Sequence, residues 1–331
     1  MIWKAVLDVI GTKVFGVDLD HLTSARPVAD FHTLFSRTMQ QSLSSHVIHY
    51  LNSYLPLRHL IPMESNRQFL KDTDEVRSII WSYVSERHSM IQQDCKSRNE
   101  SNSQDDLGEM PDAIEVMLKQ GNMRRDEIVE YALNLLVLGH DTTACTLVWA
   151  VHCLAQNPVF QERIREEIRQ NMQSHHTARE YSEVEGMRFL DNFLKEVLRL
   201  FCPVAYIPRE TTEDIEVAGV FLPKGTVVQL CPAVVNLSPS IWGSDAATFR
   251  PDRWDNLEGE AASAYAFQSF HNGPRVCIGK QLSMVEMKVF LIELLSRYKV
   301  EAIAGGDMEF ASPSFTLRPQ EKLRVRLVDA L

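Results

Sequence analysis

The chain has 331 residues, of which 45% are hydrophobic and 24% charged, a composition typical of a globular protein rather than a disordered one. Its formal net charge of -10 comes from 34 basic and 44 acidic residues. This excess of acid argues against nucleic acid as the main partner, because phosphate binding requires clustered Lys and Arg.

Simple patterns disfavour further classes of protein. No apolar stretch reaches about eighteen residues, and the opening MIWKAVLDVI carries charges, so we expect neither a membrane span nor a signal peptide. The cysteines include no C-x-x-C pair, which excludes the common zinc and redox spacings and favours a reducing compartment. They are Cys95, Cys145, Cys153, Cys202, Cys231 and Cys277.

Periodicity predicts helices through most of the first half of the chain. Apolar residues recur every three or four positions over residues 1–17, 31–50 and 65–93. The polar stretch CKSRNESNSQDDLGEMPD has no period, which predicts an exposed loop joining helices within one domain. Residues 126–158 begin with acids and end at a proline, so we expect one central helix of about 30 residues, roughly 45 Å long.

The second half of the chain mixes helices with short strands. Charged helices are predicted at 159–172 and 188–202, the second ending before a proline. Alternation broken by glycines predicts hairpins over 214–230. A helix is predicted at 280–298 and strands in the tail at 314–328. We therefore expect a mainly α protein with a small β portion.

The stretch FHNGPRVCIG at residues 270–279 carries the clearest chemical signal. Its cysteine, Cys277, looks like a buried residue, yet Gly, Pro and Arg surround it just before a predicted helix. Unpaired N–H groups at the start of a helix favour an anion, so a thiol there can be held as thiolate, a soft ligand that suits iron. The alternative is a structural cysteine in the core.

Five residues of this stretch match the pattern F-x-x-G-x-R-x-C-x-G, which resembles the signature of the cytochrome P-450 haem-thiolate monooxygenases. They are Phe270, Gly273, Arg275, Cys277 and Gly279. The resemblance implies the cytochrome P-450 fold and a haem b cofactor whose iron is bound by the cysteine. It also implies that the glycines and the Phe lie against the macrocycle and that the Arg meets a haem propionate.

A second motif, GHDTT, lies inside the predicted central helix. The family has A/G-G-x-D/E-T-T there, and Leu138 stands where Ala or Gly is usual. The resemblance implies that Asp141 and Thr142 deliver protons to dioxygen and that Gly139 leaves room for a ligand. The alternative is a simple kink, since consecutive Thr residues can hydrogen-bond back to carbonyls and bend a helix.

The spacing of Glu196 and Arg199 places both on one face of a helix, where they can pair. An isolated E-x-x-R is usually a solvated salt bridge. By resemblance, Arg253 in FRPDRW completes a Glu-Arg-Arg network with a structural role behind the haem loop, and Arg209 is another propionate contact.

The resemblance also assigns substrate contacts to three segments. The lining is mainly apolar, which suits a lipid, terpenoid or polyketide-like substrate. For His140 we expect a surface position rather than a substrate contact. The assigned contacts are Leu135, Leu138, Thr143, Val204, Ala205, Ile207, Phe315 and Thr316.

The opening segment VLDVIGTKVFGVDLD resembles one that lies well inside a complete member, and none of the five Trp residues begins the family's early W-x-x-x-R. We therefore expect a single domain over residues 1–331 that lacks the family's membrane anchor, first β-sheet and early helices.

The function implied by resemblance is insertion of one oxygen atom of O2 into an apolar small molecule. Electrons would come from an NADPH-cytochrome reductase, and the enzyme would be a monomer at the cytosolic face of the endoplasmic reticulum. Segments of the sequence resemble those of eukaryotic microsomal members of the family, and fungal secondary metabolism is the expected setting. The alternatives are a haem-thiolate isomerase or dehydratase, against which Asp141 and Thr142 count, and an inactive fragment that binds haem poorly.

Overall fold

The structure is a computed structural model that describes residues 1–24, 31–34, 64–98, 111–171, 180–303, 309–311 and 316–330. The predicted helix at 31–50 and the predicted loop therefore lie largely outside the described residues, and Phe315 lies outside them too. Residues Met1–Ala144 form one compact unit and residues Cys145–Leu331 form a second.

The described residues of the first unit form helices joined by turns and contain no strand. Helix α1 ends where Gly16, at a φ of 68°, takes the left-handed conformation and donates its N–H to the Thr12 carbonyl. The α3 helix begins at Asp112, whose side chain accepts the Glu115 N–H as an N-cap. The predicted helices at 1–17 and 65–93 are confirmed, although the second continues into the predicted loop. The helices are α1 (Ile2–Phe15), α2 (Glu64–Arg98), α3 (Ala113–Gln120) and the part up to Ala144 of α4 (Arg125–Gln156).

Helix α4 is the predicted central helix. Its 32 residues span about 48 Å, and acids occupy its first turn, where they complement the helix dipole. From Ala144 to Leu154 almost every side chain is buried. The helix ends two residues before Pro158, which begins the next helix, because proline suits the first turn and not the interior.

The second unit packs four helices against one another. Helix α7 is the most amphipathic of them, and its buried face includes Phe193, Val197 and Leu198. It ends at Leu200, before Pro203, as predicted. The four are α5 (Pro158–Asn171), α6 (Tyr181–Glu185), α7 (Arg188–Leu200) and α10 (Lys280–Arg297), with the short α8 (Pro232–Leu237) and α9 (Pro239–Trp242) between the last two.

The β portion of the described residues consists of three antiparallel pairs. The predicted hairpin region is confirmed, and the tail forms a strand only at its end. Upstream of that strand, Pro319 lacks an N–H and makes a single bridge with Phe310. The pairs are β1 (Ile207–Glu210) with β4 (Val227–Leu230), β2 (Ile215–Val217) with β3 (Val220–Leu222), and β5 (Tyr298–Ala302) with β6 (Val325–Asp329). The fold is mainly α with a small β portion, as predicted.

None of the helices in the described parts of the chain combines the length and the hydropathy needed to cross a membrane.

Candidate active site

A buried ionic network surrounds the carboxylate of Glu196, in the middle of α7. The Nε and Nη2 of Arg199 donate to its two oxygens at 2.9 Å each, and the Nε of Arg253 donates to Oε1 at 2.9 Å. The side chains of Glu196 and Arg199 are 0% exposed. The structure thus brings together the three residues that the sequence placed in one network, the third from 57 positions further along the chain.

Backbone carbonyls satisfy the outer nitrogens of both guanidinium groups. The Nη1 of Arg199 donates to the carbonyls of Asn236 and Ala246, at 2.9 and 2.6 Å. The Nη2 of Arg253 donates to the Thr248 carbonyl at 3.0 Å. A buried charge is tolerated only when it is paired and hydrogen-bonded, so these bonds tie α7 to α8 and to the irregular segment after α9.

Two donors to Glu196 were missed by the sequence reasoning. The indole Nε1 of Trp254 donates to Oε2 at 3.0 Å, and the Arg250 backbone N–H donates to Oε1 at 2.8 Å. The available signal was the Trp directly after Arg253, where the resembling P-E-R-F stretch has Phe. An indole N–H is a donor only, so an indole in the interior requires an acceptor.

The network continues from Arg199 to the cysteine loop. Asn236, whose carbonyl accepts from Arg199, uses its side chain to donate to the Ser269 hydroxyl at 2.8 Å and to accept the Gln268 N–H at 2.8 Å. The Ser269 hydroxyl in turn donates to the Leu198 carbonyl of α7 at 2.7 Å. The residues immediately before the loop are therefore held on α7 by a continuous set of hydrogen bonds.

The cysteine loop, residues 270–279, is a tight backbone turn. The Cys277 N–H donates to the Phe270 carbonyl at 2.8 Å, and the Val276 N–H donates to the Gly273 carbonyl at 3.1 Å. Gly273 has a φ of 74°, a conformation that glycine adopts without strain, and nothing lies within 4 Å of the place where its Cβ would be. Helix α10 starts three residues after the cysteine.

The Cys277 side chain is exposed, which differs from its buried appearance in the sequence. The buried side chain is instead that of Phe270, whose ring packs edge-to-face on the Phe267 ring with the centroids 6.3 Å apart. A Cβ on Gly279 would lie 3.9 Å from the Cys277 sulfur, so the glycine keeps that side of the thiol open. The aromatic residue anchors the loop while the loop presents the sulfur outward.

Both predicted propionate contacts are exposed arginines. Arg275 lies in the turn before Cys277. Arg209 lies in β1, where its Nη1 donates to the Pro208 carbonyl at 2.9 Å. Burial, and next the Arg209 charge, lower the pKa of His271 below its usual value, so the charge of Arg209 acts at the cysteine loop. Two cations are thus available on or beside this loop.

In the first unit, Asp141 and Thr142 lie in α4 as expected. Asp141 is buried and accepts a hydrogen bond from the Trp3 indole, with 3.2 Å between Nε1 and Oδ1. Thr142 donates its hydroxyl to the Leu138 carbonyl at 2.6 Å, the back-bonding that Thr residues in helices favour. A Cβ on Gly139 would lie 2.8 Å from Ile10 Cδ1, so α1 occupies the space that we expected a ligand to use.

His140 is buried, which makes the expected surface position wrong. Its exposed fraction is 4%, because residues of α1 cover this face of α4. Burial lowers the pKa of the ring to about 4, against the opposing effect of Asp141 and of a hydrogen bond with the Trp3 backbone. The imidazole is therefore neutral near pH 7.

The predicted substrate contacts differ in exposure. On α4, Leu138 is 48% exposed, Leu135 is half-buried and Thr143 is buried. In the second unit, Thr316 is fully buried, and the half-buried residues are Val204, Ala205 and Ile207.

Two of the three predicted substrate segments lie side by side in the second unit. The Leu317 N–H donates to the Pro203 carbonyl at 2.9 Å. The Leu317 carbonyl accepts from the Trp149 indole at 2.7 Å and from the Cys145 thiol at 3.4 Å. These bonds hold Thr316, which precedes Leu317, next to the segment that begins at Val204.

The sequence profile of the Cytochrome P450 family matches residues 1–326, nearly the whole chain. The chain belongs to the cytochrome P450 family. Curated relatives have the same family name. A cytochrome P450 monooxygenase of Aspergillus fumigatus, sphH, is 35% identical over 198 residues, which cover 57% of this chain and 36% of the relative.

Two further fungal cytochrome P450 relatives match over a longer stretch. The monooxygenase buaD of Petromyces alliaceus is 27% identical over 344 residues, which cover 98% of this chain and 61% of the relative. The monooxygenase FSL4 of Gibberella zeae is 28% identical over 314 residues, which cover 91% and 55%. The chain therefore spans about one third to three fifths of the length of these relatives.

The cysteine loop fits the haem group that cytochrome P450 membership implies. An exposed thiol lies between two exposed apolar side chains, Val276 and Ile278, the second 90% exposed. Arg275 and Arg209 add positive charge on or beside the same loop. A soft sulfur donor, an apolar rim and cations are together the features that suit iron, a flat apolar macrocycle and its carboxylates.

Proposed function

We propose that the protein is a haem-thiolate monooxygenase that inserts one oxygen atom of O2 into an apolar small molecule. The observation that carries the proposal is the exposed Cys277 thiol, set in a rigid loop with an apolar rim, in a chain that matches the cytochrome P450 family over residues 1–326. The other oxygen atom leaves as water, which consumes protons and electrons. We propose an NADPH-cytochrome reductase as the electron donor.

In this proposal Cys277 is the protein ligand of the haem iron, and Arg275 and Arg209 bind the propionates. The bound haem supplies the reductive activation of dioxygen. Glu196, Arg199 and Arg253 do not touch the reacting atoms. They hold the backbone before the loop through Asn236 and Ser269, and so fix the position of the sulfur.

Proton supply is assigned to Asp141 and Thr142. Asp141 holds and releases a proton at a carboxylate oxygen, and the Thr142 hydroxyl is a relay. Support comes from their placement in α4: Asp141 is a buried carboxyl with a defined hydrogen-bond donor, and Thr142 has a hydroxyl fixed by the Leu138 carbonyl. The predicted contacts Leu135 and Leu138 of the first unit are apolar, and so are Val204, Ala205 and Ile207 of the second, which supports a lipid, terpenoid or polyketide-like substrate.

The thiolate assignment is tested by the carbon-monoxide difference spectrum of the reduced, haem-supplemented 331-residue chain. We expect a strongly red-shifted Soret band that is lost in the Cys277→Ala variant. The matched control is Cys231→Ala, which removes a half-buried cysteine that lies outside the loop and should keep the band. A wild-type band at the position of imidazole-ligated or free haem would contradict the assignment.

The reaction class is tested with isotopically labelled dioxygen, a reductase and NADPH. We expect label in the product of a terpenoid or fatty-acid panel. Product that forms without label would refute the monooxygenase and favour a haem-thiolate isomerase or dehydratase.

A further inference from the structure

The hydrogen bond between Trp3 and Asp141 joins two residues that are 138 positions apart in the sequence. The indole belongs to the first turn of α1, and the carboxylate lies in the middle of α4 with an exposed fraction of 7%. A carboxylate this far from water requires donors, and an indole N–H supplies one. The bond therefore satisfies a buried acceptor in the middle of α4.

Neighbouring contacts hold Trp3 at this place. The His140 ring forms a hydrogen bond with the Trp3 backbone, and Ile10, two turns further along α1, packs on Gly139 so closely that a Cβ there would lie 2.8 Å away. Three consecutive residues of α4 are thus engaged by α1. These contacts fix the register between the two helices, in which the indole reaches Asp141.

The chemistry of the indole makes this contact directional. Its N–H donates and cannot accept, so it must face an oxygen lone pair. Because Trp3 donates to Oδ1, the carboxyl group of Asp141 is held in one orientation.

We propose that Trp3 is a positioning residue for proton delivery: its indole N–H holds Oδ1 of Asp141 and so fixes the orientation of the carboxyl group that carries the proton. The inference rests on the proposed function, in which Asp141 is the proton donor. The proton that Asp141 delivers comes ultimately from the solvent, while Trp3 keeps its own N–H throughout. The role belongs to this chain's own residues and depends on the indole N–H, not on the bulk of the ring.

The bond itself is tested without turnover, by the indole N–H signals of the protein labelled with nitrogen-15 tryptophan. The chain has five Trp residues, so at most five such signals are expected. Trp3→Phe identifies its own signal by deleting it. That signal should move upfield in Asp141→Asn, because a charge-assisted bond is replaced by a neutral one, and should stay in place in Trp81→Phe, the control at an exposed Trp of α2. A Trp3 indole signal with the same chemical shift in Asp141→Asn as in the wild type would overturn the proposal.

The positioning role is tested by the product formed per NADPH consumed. Trp3→Phe keeps an aromatic ring and loses the donor, and we expect coupling to fall by up to about tenfold, the size of one ordinary side-chain hydrogen bond in a part-buried place. Trp81→Phe should couple as the wild type does. In an Asp141→Asn background Trp3→Phe should have no further effect, because its action passes through the carboxylate.

The outcomes separate the two proposals. If the wild type turns over and Trp3→Phe is fully coupled, the role of Trp3 is overturned and the proposed function stands. The same holds if the coupling losses of Trp3→Phe and Asp141→Asn add in the double variant. Absence of turnover in the wild type overturns the proposed function and the role together, while the indole signal still decides whether the bond exists. If Trp3→Phe does not fold, the Trp3 signal is assigned by elimination from single Trp→Phe variants at Trp81, Trp149, Trp242 and Trp254, and Asp141→Asn then still tests the bond.

Discussion

Glu196→Gln is the substitution whose consequences the structure defines best. The carboxylate accepts five hydrogen bonds, from the side chains of Arg199, Arg253 and Trp254 and from the Arg250 backbone N–H. The amide of Gln keeps one acceptor oxygen and turns an NH2 group toward donors. Among the described residues, Arg199 has no other carboxylate within ion-pair distance, so its charge would stay buried without a counter-charge.

The magnitude follows from that burial. Removing one partner of a buried ion pair costs about 3 to 5 kcal/mol, because the remaining charge is left in a medium of low polarity. The total free energy of unfolding of a domain is about 5 to 15 kcal/mol, so this loss is a large fraction of it. Because Asn236 and Ser269 connect Arg199 to the cysteine loop, we also expect weaker haem retention.

The assay is denaturant unfolding followed by circular dichroism, with haem titration of the folded protein. The matched control is Glu166→Gln, which changes the same E-x-x-R spacing on α5. Glu166 and Arg169 are 2.7 Å apart and both more than half exposed, so solvent replaces the lost partner and we expect no change in the unfolding midpoint. Equal losses in the two variants, or a loss below about 1 kcal/mol for Glu196→Gln, would refute the reasoning.

Three other substitutions test separate parts of the molecule. Thr142→Ala should raise peroxide formed per NADPH, since it removes the proposed relay hydroxyl; unchanged coupling would remove Thr142 from proton delivery. Trp149→Phe deletes the indole donor to the Leu317 carbonyl and should lower the free energy of unfolding by about 1 to 2 kcal/mol. A variant as stable as the wild type would contradict this expectation. Burial raises the pKa of Glu286 from 4.5 to about 8, so wild-type stability should fall as pH rises from 4.5 through 8, by at most about 5 kcal/mol at 1.36 kcal/mol per pH unit. Glu286→Gln should remove that fall in a pH series of denaturation curves, and an unchanged pH profile would show that the carboxyl is solvated in the native protein.

Local patterns in the sequence were sufficient for the longer helices of the described residues, whereas α3, α6, α8 and α9, of four to eight residues each, were not predicted. The bounds of α4 and α7 follow from apolar periodicity and from the prolines that end each run, which act within a few residues of the chain. The residue type permits the positive φ of Gly273, because glycine has no Cβ, but does not require it, since Gly279 of the same loop has a φ of -86°. The family motifs were recognisable because they too are short and continuous.

Burial and the choice of partner, by contrast, depend on residues that are distant in the sequence. Glu196 and Glu166 have the same spacing to an arginine, and only the segments that fold over Glu196 make one pair an enclosed network and leave the other in solvent. His140 is buried because α1 covers it, and Cys277 is exposed because Phe270 takes the core position in its loop. No local pattern specifies that Trp3 reaches Asp141, because long-range packing determines which donor meets a buried carboxylate.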